Sequence, residues 1–257
     1  MSDFEGKVAI VTGAGSSGEG VGNGKAASIL FAREGAEVLL VDFQEDRARE
    51  TLKIIQEEGG VASTLQGDMT KVEDCQRMAD TAMERYGRVD ILDNNVGISQ
   101  RGTVVEVSED DWDRVMTVNI KTIMLASKVT IPHMIASGGG SIVNISSQSG
   151  LRGVGYSVPY AVSKAGVIHL TTVAAAQYTS QGVRVNCIAP GGVDTPQMRG
   201  STASAEVFTD RNEGHPMGRV GTADEIANLV LWLASDEASY ASGSTYNIDG
   251  GAMASAR

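Results

Sequence analysis

The first forty-two residues constrain the fold more than any other stretch of this chain. Lys7 to Thr12 is a short apolar run, Lys-Val-Ala-Ile-Val-Thr, and it opens directly into Gly13-Ala-Gly-Ser-Ser-Gly-Glu-Gly-Val-Gly-Asn-Gly24. A helical pattern follows, with Ala26, Ala27, Ile29, Leu30 and Ala32 on it, and stops at Gly35. A second apolar run, Glu37 to Val41, ends at Asp42. Strand, glycine-rich turn, helix, strand and acid together form a dinucleotide-binding fingerprint in its proper context. Glycines let the backbone approach a pyrophosphate, and the helix N-terminus aims N–H groups at it. Asp42 can accept hydrogen bonds from a ribose diol and would repel a 2′-phosphate, so NAD is expected in preference to NADP.

The same rhythm continues along the chain. Strand-like runs recur at Ala62 to Gln66, Val89 to Asn94, Ser141 to Ser146, Val183 to Ala189 and Ser244 to Ile248. Helical stretches lie between them, near 47–58, 72–86, 109–137, 160–181 and 223–234. Alternating strands and helices predict an α/β single-domain Rossmann fold over residues 1–257: a doubly wound, seven-stranded parallel sheet with helices on both faces. A length of 257 residues suffices for one such core. Only the segment at about 195–222 breaks the rhythm. It is polar and far longer than ordinary connections, which predicts a substrate loop or lid.

A second signal lies in the middle. Tyr160 and Lys164 are four residues apart on an expected helix, so phenol and ammonium share one face. A cation beside a phenol favours the phenolate and lowers its pKa from about 10. Such a tyrosine can exchange a proton with an alcohol or carbonyl oxygen. Ser147, at the carboxyl end of an apolar strand, is placed to hydrogen-bond that same oxygen.

Together these residues resemble the short-chain dehydrogenase/reductase family in its compact form, from Lys7 to Gly251. The resemblance implies further roles. Asn119, Ser147, Tyr160 and Lys164 match the family's catalytic tetrad: tyrosine as general acid/base, serine polarising the substrate oxygen, lysine on the nicotinamide ribose, asparagine kinking its helix and holding a water. Gly13, Gly15, Gly22, Asn23 and Gly24 match the cofactor turn. Asp42, Phe43, Asp68 and Met69 fall at the adenosine end, and Asn95, Val96 and Gly97 sit in an element similar to Asn-Asn-Ala-Gly. Pro190, Gly191, Val193 and Thr195 resemble the element that touches the nicotinamide carboxamide. Gln148, Ser149, Leu151, Tyr156, Gly192 and Met198 are the expected substrate contacts. One departure is visible: about five extra residues separate Gly13 from Gly22. They include Glu19, which should point to solvent, away from phosphate.

The remaining features narrow the choice. A net charge of −11 argues against nucleic acid or an anionic membrane as partner. Cys75 and Cys187 read as small buried hydrophobes and give no disulfide framework. The three histidines, His133, His169 and His215, show no ligand spacing, so no metal is expected; His215 could reach substrate. No basic leader and no membrane-length apolar run occurs, so the expected compartment is the cytoplasm. Apolar faces on the two longest helices suggest subunit contacts, and the family resemblance implies a homotetramer. The leading expectation is an NAD-dependent dehydrogenase or reductase acting on a secondary alcohol or its ketone. The alternative is a 3-oxoacyl-[acyl-carrier-protein] reductase using NADPH. A nucleotide-sensing protein without turnover is the remote third.

Overall fold

A computed structural model describes residues 4–200 and 215–255. Among the described residues seven strands form one sheet: β1 (Val8–Thr12), β2 (Glu37–Asp42), β3 (Ala62–Gln66), β4 (Ile91–Asn94), β5 (Gly140–Ile145), β6 (Val183–Pro190) and β7 (Thr245–Ile248). Their spatial order is β3-β2-β1-β4-β5-β6-β7, and every neighbouring pair is parallel. Each expected strand is present within two residues of its expected ends.

The strands are apolar on both sides because both faces are covered. Val8 to Val11 are wholly buried. On one face Ala9, Val11, Val38, Leu40 and Val143 pack under α1 (Asn23–Arg33), α2 (Glu45–Glu57) and the helix Ala223–Ala234. On the other, Ile10, Leu39, Val41, Leu92 and Ile142 pack against α3 (Val72–Tyr86), α5 (Thr122–Ala136) and α6 (Val158–Tyr178). Two further helices, α4 (Glu109–Met116) and α7 (Pro196–Gly200), sit beside the sheet's carboxyl edge, and Ala223–Ala234 is α8. Its start is fixed by a capping box: Thr222 accepts from Glu225 N, and Glu225 accepts from Thr222 N. No described helix is long and apolar enough to cross a membrane.

One element departs from expectation. The single helix foreseen over 109–137 is two helices joined by a π turn, Thr117–Lys121. A π turn holds one extra residue and frees a backbone carbonyl. Here the Thr122 hydroxyl donates to the Val118 carbonyl (2.7 Å), and Asn119 is wholly buried at the turn.

Candidate active site

Strand order reverses between β1 and β4, and a crevice at that point is the usual ligand site of such sheets. A cavity of about 690 Å³ opens there, walled by the carboxyl ends of β1, β2 and β4 and by the start of α1. Gly13 turns the chain with a φ of 69°. Its N–H and that of Ala14 both donate to the Val41 carbonyl (2.8 and 3.1 Å), which ties the turn to β2. At Gly24 a Cβ would collide with the Gly13 carbonyl, and at Gly15 with Arg47. These two positions therefore need glycine for close backbone approach.

The five-residue excess forms its own small loop. Ser16 is buried, and its hydroxyl accepts from Gly22 N (2.9 Å), closing the neck. Glu19 lies on the exposed side, as expected. Gly18 and Gly20 run beside Pro196 and Arg199 of α7. The first turn of α1 carries no acid and its Gly22 cap offers no side chain, so its orphan N–H groups face the cavity end unneutralised. The buried Oδ1 of Asn23 and both amide atoms of Asn95 have no hydrogen-bond partner among the described residues. Free donors, close backbone and unsatisfied amides fit a pyrophosphate and its flanking riboses. Asp42 closes the far end. Its carboxylate accepts from Gly15 N (3.0 Å) and Gln44 N (2.9 Å), so the strand's last residue also braces the turn.

Behind this wall the four expected catalytic residues converge. The side chain of Ser147 acts on the Tyr160 phenol and favours its ionised form. Ser147 also accepts from Ser149 N (3.1 Å) and caps the short turn Gln148–Gly150. That turn presses directly on α6: a Cβ at Gly150 would sit 2.6 Å from the Lys164 carbonyl carbon. The Ser146 hydroxyl donates to the Lys164 carbonyl (2.7 Å), stapling β5 to α6. Lys164 Nζ donates to the Ile145 carbonyl (2.9 Å) and lies 5.7 Å from the Tyr160 ring centre. Asn119 accepts from Ile98 N (2.8 Å) and donates to Ile98 O (3.0 Å) and Ser163 Oγ (2.8 Å). The asparagine thus pins the β4 exit loop to α6.

The electrostatics correct one expectation. Lys164 was to pull the Tyr160 pKa down; instead burial pushes the phenol above its usual value, opposed by the Ser147 side chain. Tyr160 keeps part of its surface exposed, but the phenol lies deep. Burial also lowers the Lys164 ammonium to about 8. Both shifts favour the uncharged forms.

Thirteen of the expected cofactor contacts line the cavity: Gly13, Gly15, Gly22, Asn23, Gly24, Asp42, Phe43, Asp68, Met69, Asn95, Val96, Gly97 and Thr195. Five do not. Tyr160 and Lys164 lie behind Gly97, whose Cβ would be 3.2 Å from Lys164 Nζ. Gly191 is packed on Asp249, Pro190 is the last residue of β6, and buried Val193 is bridged to Gly221. None of the expected substrate residues lines this cavity. Gly192 abuts His215 and borders a separate cavity of about 500 Å³. Tyr156 is exposed with Arg101 5.9 Å from its ring centre, and Leu151 is exposed beside it. Gln148 and Ser149 form the turn after Ser147, and Met198 belongs to α7. Of the loop foreseen at 195–222, residues 201–214 lie outside the described residues.

Sequence reasoning missed several participants. Arg47, Asp113, Arg114 and Thr117 line the cavity wall, and no spacing rule pointed to them. Asp93 had a readable signal, an acid inside the apolar run Ile91-Leu92-Asp93, that went unused.

Comparison with known proteins places this geometry. A family model described as enoyl-(acyl carrier protein) reductase matches residues 18–253. The 3-oxoacyl-[acyl-carrier-protein] reductase FabG of Thermotoga maritima is 38% identical over 249 residues, covering 96% of this chain and 98% of that protein. A crystal structure from Burkholderia xenovorans, provisionally described as a short-chain dehydrogenase/reductase, superposes with a TM-score of 0.94 at 38% identity, covering 99% of each chain. Another, from Agrobacterium tumefaciens, is provisionally described as a 2-deoxy-D-gluconate 3-dehydrogenase with bound NADP. It gives a TM-score of 0.89 at 35% identity, again over 99% of each chain.

Proposed function

The chain belongs to the short-chain dehydrogenase/reductase family, and from that premise we propose that it moves a hydride between NAD(H) and a secondary alcohol or its ketone. The observation that carries this reading is the gathering of Ser147 at the end of β5 with Tyr160 and Lys164 on α6, Lys164 Nζ 5.7 Å from the Tyr160 ring centre and Asn119 bracing the same helix.

A nicotinamide held here would supply the hydride donor or acceptor. Every other task falls to the chain. The turn at Gly13–Gly24 and the N-terminus of α1 hold the pyrophosphate, and Asp42 receives the adenosine ribose. Lys164 carries the nicotinamide ribose. Ser147 donates a hydrogen bond to the substrate oxygen and fixes its position. Tyr160, protonated at neutral pH like any phenol and pushed further that way by burial, gives its proton to the oxygen of a ketone as the carbon is reduced. In the oxidative direction it takes that proton back. The Lys164 cation, retained below about pH 8, then stabilises the phenolate. Pre-positioning of these groups is worth more than any one of them alone.

The second reading is a 3-oxoacyl-[acyl-carrier-protein] reductase using NADPH. It draws on the named relative and the NADP-bound neighbour, and on Arg47 in the cavity wall against Gly15. Asp42 supports NAD: its carboxylate stands at the strand end where a 2′-phosphate would come.

The test follows NADH and NADPH oxidation, and the reverse, over a panel of secondary alcohols, ketones and 3-oxoacyl thioesters. The expected result is turnover with NAD(H) on the simple alcohols and ketones, lost by about 10²–10⁴-fold in Tyr160→Phe. Turnover confined to NADPH and 3-oxoacyl thioesters would select the second reading. Tight cofactor binding with no turnover on any of them would overturn both.

A further inference from the structure

Asp93 is a carboxyl group in the wrong place for an ordinary strand. It is wholly buried, on β4, in the centre of the sheet. In the parallel register its neighbours are Val11 on β1 and Val143 on β5. Both valines belong to the apolar layer beneath α1, α2 and α8. Neither carboxyl oxygen has a hydrogen-bond partner among the described residues. The single polar group that acts on it is the side chain of Asn95, two residues along the strand direction and so on the same face. Asn95 is itself a wall residue of the dinucleotide cavity, and its amide atoms are buried and unpartnered. Its Cβ rests against Gly24 at the start of α1.

Two adjacent polar side chains, each with nothing else to bond, can satisfy one another in two ways, one for each protonation state of the acid. A buried carboxylate here would stand uncompensated among valines. The charged groups on the helices covering this face do not relieve it. Lys25 and Arg33 of α1 pair with Glu50 and Glu58, Arg49 and Lys53 of α2 with Glu45 and Glu57, and Glu225 of α8 with Arg219. None of these, nor Arg47 or Asp224, contributes to the state of Asp93, which follows from burial first and then Asn95.

We propose that Asp93 is a positioning residue for the cofactor: as the neutral acid it donates its O–H to Asn95 Oδ1, which turns the Asn95 NH₂ toward the oxygen-rich nucleotide. Ionised Asp93 would instead accept from that NH₂ and turn Asn95 Oδ1 outward, against ribose and phosphate oxygens. The carboxyl titrates at about 7, so the amide would reverse across the neutral range. Lys164, lowered to about 8, is the other group here whose charge changes near this range, and it does so at higher pH. The inference rests on the reading that a nicotinamide dinucleotide occupies this cavity.

The experiment has two arms on the full chain. The first is an infrared titration of the cofactor-free protein in D₂O. It should show the carbonyl band of a neutral carboxylic acid that fades with a midpoint near neutrality and is missing from Asp93→Asn. Absence of that band in the wild type at pH 6 would overturn the proposal. The second arm is NADH affinity, read by fluorescence, from pH 5.5 to 7.5, below the Lys164 transition. Wild-type affinity should fall by roughly three- to tenfold, the size of one hydrogen bond. Asp93→Asn, which carries no titrating group, should show one affinity throughout. Asp93→Val should bind weakly at every pH. If Asp93→Asn and wild type share one pH profile, the proposal fails while the cofactor reading stands. If wild type binds neither NADH nor NADPH, the cofactor reading fails, and the proposal with it.

Discussion

Gly150→Ala is the sharpest probe of how the catalytic serine is held. The added Cβ would lie 2.6 Å from the Lys164 carbonyl carbon and 2.8 Å from both the Lys164 oxygen and the Ala165 nitrogen. All three are backbone atoms of α6, so no side chain can swing aside. Ordinary contact begins at 3.4 Å, so the turn must retreat by about 0.8 Å or α6 must bend. Overpacking of this kind costs roughly 1–3 kcal/mol, which for a chain of this size lowers Tm by about 2–10 °C. The turn's N-cap is Ser147, so the retreat drags the serine from Tyr160. A misplacement near 1 Å can cost about 10²-fold in rate. The control is three residues away: a Cβ at Gly153 meets nothing within 4 Å, and Gly153→Ala should stay within about 0.5 kcal/mol of wild type. Calorimetry of both variants, with turnover on the best substrate, makes the comparison. Equal Tm and equal kcat for the two would refute the idea that backbone contact between turn and helix sets the serine.

Two further tests concern charge. The Asp93 carboxyl has a folded-state pKa of about 7 against an ordinary 3.8, so the native state binds its proton more tightly than the unfolded chain. Stability therefore falls as pH rises from about 4 to 7, by about 4 kcal/mol in full. Asp93→Asn should gain most on wild type at pH 8 and least at pH 5 in urea denaturation; a pH-independent difference between the two would contradict this. Lys164 is shifted the other way, down to about 8. The oxidative reaction, which relies on its cation beside the phenolate, should lose rate above that pH, and Lys164→Met should be slow throughout and lack that falling limb. A wild-type profile without such a limb would remove Lys164 from the role.

The layout of the sheet was legible because the inner strands are short, buried runs between helical stretches, while the partly exposed edge strands β3 and β7 follow from their place in that alternation. The glycine turn was legible because Gly13, Gly15 and Gly24 stand where close backbone approach demands them. The convergence of Ser147, Tyr160 and Lys164 was legible from helix periodicity and from a strand end. What the sequence hid depends on long-range packing. The π turn at Asn119 looks like continuous helix, since Thr117–Lys121 holds no glycine or proline to mark a break. The upward shift of Tyr160 comes from burial, which spacing cannot measure; spacing showed only the nearby cation. The distance of Pro190, Gly191 and Val193 from the cavity follows from β7 and from the bridge to Gly221, elements fifty or more residues further on in the case of β7.

That bridge has a consequence for how such a protein can change its substrate. Val193 pairs with Gly221, Asp194 N donates to Gly221 O, and Gly221 N donates to Gly192 O, each bond at 2.8 Å. The two ends of the intervening chain are therefore clamped together by the fold itself, before that chain adopts any particular shape. Its length then matters little to global stability, since doubling a closed loop costs only about 0.6 kcal/mol. Changes of length and sequence at 201–214 should therefore cost little global stability, whereas Thr195 and α7, which border the nucleotide cavity and the glycine loop, are to be kept. Libraries aimed at new specificity belong at 201–214, and grafts from relatives should fold when they respect those two clamped ends.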